Sequence, residues 1–238
     1  MSIIHFSCLT GVSGDMLLAS MLDMGVSLEE LESGLAGMNL NGFKLIPNKK
    51  NVAGIETLHL DVRLTRDQPL RHYSDLKGII QNAELPDKVK ADSLTTIRLL
   101  GEAEAKVHGI ALEEVHFHEI GAVDTLIDIV GAHLLIHKIS PDQVTTTPIN
   151  LGSGFVSMAH GRHPVPAPAC AELSIGMMVF GSDLGKEAAT PTGLALIKSL
   201  AQEYTEQPEG VVKRIGYGSG GYSGDDFPTY VRAVLIDN

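Results

Sequence analysis

The period of the apolar positions changes several times along the chain, and each change marks an element. Residues 2–8, SIIHFSC, read as a short buried strand closed by Gly11-Val12-Ser13-Gly14. Helical spacing follows over 15–24 and again over 27–35, where Ser27 and Glu30 have the spacing of a capping box. Two alternating stretches, 43–48 and 54–64, predict strands, with Asn48-Lys49-Lys50-Asn51 as the hairpin turn. Residues 65–72 are polar, contain Pro69 and read as a mobile connection; 73–82 and 87–108 are helical. Strands are expected near 142–149 and 153–158. Prolines 164, 166 and 168 then impose an extended, rigid loop. A helix from Ala169, a strand over 177–180 and a helix opened by Thr190 as N-cap with Pro191 at its first position come next. Two late strands, 210–217 and 230–236, enclose a glycine-rich stretch. Strands and helices alternate without a strict βαβ rhythm, which predicts an α/β fold with a mixed, α+β-like sheet and flanking helices in a single large domain. Along it run an N-terminal β-α-α-β-β portion (1–64), the connection (65–72) and a helical and mixed-sheet portion (73–238) that carries the candidate site.

That site centres on HFHEIGAVDTLID, residues 116–128. An extended backbone sends His116 and His118 to one face and Val115 and Phe117 to the other. Glu119 follows, and then a helical pattern in which Asp124 and Asp128 stand four apart and so share a face. The other positions of that helix are apolar nearly all round, which implies burial. Buried carboxylates need a cation, a proton or donors, and two imidazoles beside them suit nickel, zinc or a similar ion. The same residues also read as edge-strand histidines beside hydrogen-bonded carboxylates. His133 and His137 lie near the helix end, where polar and cationic groups complement the dipole.

Three loops look suited to anions. GVSGD, with Gly11, Ser13, Gly14 and Asp15, joins a strand to a helix start. TPTG offers Thr190, Thr192 and free N–H groups, and GYGSGG, with Gly216 and Gly218, could form a backbone nest. Taken singly, each is equally an ordinary turn or cap.

Composition narrows the partners. A net charge of −11, 5% aromatic residues and no tryptophan exclude a nucleic-acid binder, which needs basic patches and stacking platforms. Cys8 and Cys170 form no paired motif, which fits a reducing compartment, and Cys8 reads as a small buried hydrophobe. The first residues lack the pattern of a signal peptide and no stretch reads as membrane-spanning, so a cytoplasmic location is expected.

Taken together, GVSGDM, EAEAKVHG, EVHFHEIGAVD, LGSGFV, AHG with PVPAPA, TPTG and IGYGSG resemble the LarC family of nickel insertion proteins in their order. The resemblance runs from residue 3 to residue 234. It implies a lyase-type nickel chelatase that uses CTP, with magnesium or manganese, to place nickel in a pyridinium bisthiocarboxylate mononucleotide. On that resemblance Asp15, Asp124 and Asp128 carry the chemistry, while His116, His118, Glu119 and His160 hold the metal. Gly11, Ser13, Gly14, Thr190, Thr192, Gly216 and Gly218 then bind the anionic small-molecule substrate or nucleotide. Family members continue beyond the position of Asn238, so a C-terminal partner segment is expected, together with self-association into a homo-oligomer. A non-catalytic nickel carrier and a divalent-metal hydrolase of a phosphorylated small molecule are the alternatives.

Overall fold

The computed structural model describes residues 1–117, 122–158, 161–221 and 228–237. Its centre is a seven-stranded mixed sheet. Strand β1 (Ser2–Ser7) pairs antiparallel with β11 (Tyr230–Asp237) and parallel with β4 (Gln143–Thr146). β9 (Glu203–Tyr204) continues that edge in parallel. On the other side β10 (Val211–Ser219) pairs antiparallel with β11 and meets β3 (Ile55–Leu64) in parallel, and β2 (Phe43–Val52) closes the far edge. The sheet therefore draws strands from both sides of residues 65–72. Within that connection the Gln68 amide donates to the carbonyl oxygens of Asn41 and Gly42. Two small pairs complete the strands: β5 (Ile149–Asn150) with β8 (Val179–Phe180), and β6 (Phe155–Met158) with β7 (Gly161–Pro164).

Seven α-helices stand among the described residues: α1 (Gly14–Asp23), α2 (Leu28–Ala36), α3 (Tyr73–Asn82), α4 (Asp87–His108), α5 (Ala122–Ile139), α6 (Pro168–Leu173) and α7 (Pro191–Leu200). Helix α1 lies directly on β10, and two glycines make that possible. A Cβ at Gly216 would stand 2.0 Å from the Ser20 carbonyl oxygen, and one at Gly218 would stand 2.0 Å from that of Met16. Helix α5 packs in turn against α1, α2, α4 and α7. Its Val123, Leu126, Ile127, Ile129, Val130, Ala132 and Leu135 are all buried, which is why its sequence is apolar nearly all round.

Several local expectations change. The hairpin between β2 and β3 turns at Ala53 and Gly54, both at positive φ, as a two-residue loop demands. Residues 48–51 lie within strand β2, held by a register that pairs Asn51 with Glu56 and Val52 with Ile55. The capping box at α2 is half formed: Ser27 makes no side-chain cap, while the Glu30 carboxylate accepts from the Ser27 N–H and pairs with Lys138. The proline-rich stretch is not wholly loop, because Gly161–Pro164 pairs with β6, a two-stranded ribbon where a proline displaces no central ladder. Thr190 caps α7 as expected, accepting from Gly193 N at 3.2 Å.

His133 is buried within the helix layer, its Nε2 2.8 Å from Thr96 Oγ1 on α4, and does not serve the helix end. Burial pulls its pKa down to about 4; His5, buried beside Thr145, also falls to about 4 through burial and the Arg232 charge. Both histidines fold neutral, so stability is complete above pH 6.5 and is lost as acid protonates the unfolded chain first. Between pH 6.5 and 4, unfolding free energy should fall by about 1.4 kcal/mol per pH unit for each histidine. Urea titrations across that range check this, and His133→Leu should flatten the slope. Gly218→Ala should cost roughly 1–3 kcal/mol or more by forcing α1 off the sheet. Its thermal unfolding decides whether this glycine serves packing.

Candidate functional site

Where α1, α5 and α7 begin, the chain encloses a cleft of about 520 Å³. Backbone pairing builds one wall. Val12 and Ala189 form a parallel bridge, the Val12 N–H donates to Ala188 O at 3.0 Å, and the Thr190 N–H donates to Val12 O at 2.9 Å. Gly193 presses against this junction, since a Cβ there would stand 2.5 Å from the Val12 carbonyl oxygen. The GVSGD and TPTG loops are thus joined, and Ser13, Gly14, Asp15, Thr190 and Thr192 all line the cleft. Gly11 sits behind it at positive φ, where a side chain would strike Ala188 O.

Asp124 and Asp128, on the first turns of α5, face the same space. Asp128 is 8% exposed and packs directly over Gly14, whose missing Cβ would stand 2.2 Å from the Asp128 Oδ2. Its Oδ1 is buried and meets no hydrogen-bond partner among the described residues. Burial, then the charges of Asp15 and Asp124, push its carboxyl well above the usual carboxylate range. Asp124 stands at the mouth; surrounding protein and Asp15 raise it too, against a 2.8 Å hydrogen bond from Thr125 N–H.

Asp15 itself takes the place an external anion would seek at the start of α1. Its Oδ1 accepts from the Ser13 hydroxyl and, at 2.9 Å, from the Met16 N–H. The positive end of the helix favours a carboxylate there. Part of the donor capacity expected for a ligand is therefore spent internally, and Thr190 and Thr192 at α7 are the better placed hydroxyls.

Strand β3 supplies the opposite wall through His59 and Asp61, residues the sequence reading passed over. Their alternation on β3 was the available signal. His59 Nδ1 lies 3.0 Å from Ser219 O and 3.8 Å from Asp15 Oδ2. Glu104 on α4 and Glu187 before α7 also line the cleft; Glu187 Oε1 accepts from Ala167 N–H at 3.4 Å.

Other expected residues fall elsewhere. His116 is exposed between buried Val115 and Phe117, as alternation requires, but it is not among the residues lining the cleft. It pairs with His72 in an antiparallel bridge, the two ring centroids 3.7 Å apart. Gly216 and Gly218 belong to β10 beneath α1, so close packing against the helix accounts for both. His118, Glu119 and His160 lie outside the described residues. Among the described residues, no three His, Cys, Asp or Glu side chains are grouped to cage a metal ion. Nor does any helix there have the length and apolarity to cross a membrane. Cys8 is buried as expected, and burial pushes its thiol up to about 12.

Such a site, carboxylates crowded at helix starts with one acceptor unpartnered, can take a cation beside an anionic ligand. A family model described as nickel insertion protein matches residues 4–238, and the chain belongs to that family. A relative from Geotalea daltonii is 40% identical over 237 residues, covering 99% of this chain and 61% of its own length. Several relatives carry the name pyridinium-3,5-bisthiocarboxylic acid mononucleotide nickel insertion protein. That of Desulfitobacterium hafniense (strain DSM 10664 / DCB-2) is 41% identical over 216 residues, or 91% of this chain and 54% of the relative. That of Staphylococcus epidermidis (strain ATCC 12228 / FDA PCI 1200) is 36% identical over 236 residues, or 99% and 59%. The chain thus spans between half and two thirds of the length of these relatives. No solved structure matches it.

The state of Asp128 can be read from stability. Its raised folded pKa means that ionisation in the folded chain grows costly as pH rises above about 3.8, the value for an unperturbed carboxyl. Asp128→Asn should therefore stabilise the metal-free protein at pH 7 by roughly 1–3 kcal/mol, or about 2–4 °C in Tm for each kcal/mol. The gain should vanish toward pH 4. Melting curves at both pH values test this; a loss of stability at pH 7 would mean that a structural donor holds the carboxylate.

Proposed function

We propose that this chain carries the metal-handling cleft of a protein that inserts nickel into pyridinium-3,5-bisthiocarboxylic acid mononucleotide. The observation that carries the reading is the buried, unpartnered Asp128 Oδ1, set in a cleft with Asp15 and Asp124. A carboxylate so placed is relieved by a cation, and the metal binding energy offsets its burial. Oxygen donors hold nickel less firmly than softer ones do. That suits an ion that must be given up, because the thiocarboxylate sulfurs of the substrate can compete for it.

The nucleotide is anionic, and so is the cleft. Its phosphate is best received at the start of α7, where Thr192 and the positive helix end face the cavity. The carboxylates oppose it until a divalent ion lies between. Metal and nucleotide therefore bind together, and the cation fixes the pyridinium ring against the carboxylate wall. CTP with magnesium or manganese, a further segment equivalent to the rest of the relatives' length, a homo-oligomeric assembly and a cytoplasmic setting complete the proposed activity. On this reading the chain is part of an enzyme, a lyase-type chelatase. A carrier would bind nickel and yield none to the nucleotide.

Two measurements test the reading. Titration calorimetry should show the mononucleotide binding at least about tenfold tighter with nickel than without, which is roughly 1.4 kcal/mol of coupling. Asp128→Asn should cut nickel affinity about 10–100-fold, the range for groups that hold or orient a metal ligand, and should reduce nickel recovered in the nucleotide after gel filtration. Equal nucleotide affinity with and without nickel, with transfer undiminished in Asp128→Asn, would contradict it.

A further inference from the structure

The carboxylates of the cleft explain how a cation is attracted, but oxygen ligands alone do not distinguish nickel from magnesium. Selection for nickel needs a nitrogen donor. His116 does not line the cleft, whereas His59 does, from the middle of β3. Its side chain is mostly enclosed, with 13% exposure.

The hydrogen bond at the ring shows which nitrogen donates. His59 Nδ1 stands 3.0 Å from the Ser219 carbonyl oxygen. A carbonyl oxygen only accepts, so Nδ1 carries a proton and donates it, which in the neutral tautomer leaves the lone pair on Nε2. The Asp15 carboxylate, with Oδ2 at 3.8 Å from the same Nδ1, favours that arrangement further. Metal-binding histidines are commonly held this way, with one ring nitrogen donating to a carbonyl or carboxylate and the other facing the ion.

We propose that His59 supplies the imidazole ligand that selects nickel in this cleft, with Ser219 and Asp15 as its positioning partners. This rests on the reading of the cleft as a nickel-transfer site. The ion would take Nε2 of His59 and an oxygen of Asp128, leaving its remaining positions to water and then to the sulfur atoms of the substrate. So incomplete a protein ligand set is what a transfer site requires, since a fully enclosed ion could not leave. Asp15 gains a double role, satisfying the start of α1 and holding the imidazole that faces the metal.

The test uses the full-length protein loaded with one equivalent of nickel, with His59→Ala and His59→Gln checked for intact melting. X-ray absorption at the nickel edge should show imidazole scattering in the parent protein and lose it in both variants. Calorimetry with nickel alone should show at least a tenfold drop in affinity, while magnesium affinity changes little, so that the nickel-to-magnesium ratio falls. Retained imidazole scattering and unchanged nickel affinity in both variants would overturn the proposal. So would a loss of affinity for the mononucleotide alone, which would make His59 an anion-binding group. Asp128→Asn, measured in parallel, separates the two readings: if it abolishes transfer while the His59 variants bind nickel normally, the cleft stands and the ligand assignment falls.

Discussion

The carboxylate of Asp128 rests on the backbone of Gly14, and much of the site follows from that contact. It brings the first turns of α5 and α1 together so closely that no side chain fits at residue 14. It leaves one carboxylate oxygen buried without a donor among the described residues. Apolar packing of α5 against α1, α2, α4 and α7 holds the carboxylate there. A group of this kind weakens the fold that contains it unless a proton or a cation arrives. Core packing therefore favours a neutralising proton or cation at this carboxylate.

A second constraint fixes the opposite wall. Gly216 and Gly218 let α1 settle on β10, and the end of β10 places Ser219 where its carbonyl meets His59. The glycines of this strand thus act on the site at one remove, by setting the height of α1 above the sheet. Val12 paired with Ala189, and Gly193 pressed against that junction, perform the same service for α7. Three helix starts converge because small residues allow their backbones to approach.

The regular elements were largely legible in the sequence. The apolar alternation of β1, the long helix α4, the all-round apolar α5 and the Thr-Pro opening of α7 each follow from local pattern, and the structure has them. Asp124 and Asp128 were legible as carboxylates sharing one face of an apolar helix, and Asp15, Thr190 and Thr192 as polar residues at helix starts, where an ordinary cap explains them equally well. What was not legible depended on register and approach. His59 looks like any polar residue on an alternating strand until β3 is placed beside β10. His116 looked like a cleft residue because it adjoins α5 in sequence, yet its partner is His72, far away along the chain. The glycine-rich strand resembled an anion nest because sequence cannot say which helix will lie on it. The turn between β2 and β3 was displaced for a similar reason: the ladder continues through Lys49 and Lys50 to a tighter loop, and Lys49 pairs across it with Glu56.

On the proposed reading the carboxylate cleft, and not the exposed histidine pair, receives the ion. Anomalous diffraction at the nickel edge, from crystals grown with nickel and the bisthiocarboxylate mononucleotide, tests it most directly. One strong peak is expected in the cleft, about 2.0–2.2 Å from an Asp128 oxygen, a typical first-row metal–carboxylate distance. A dominant peak between His72 and His116, with no density beside Asp128, would contradict it.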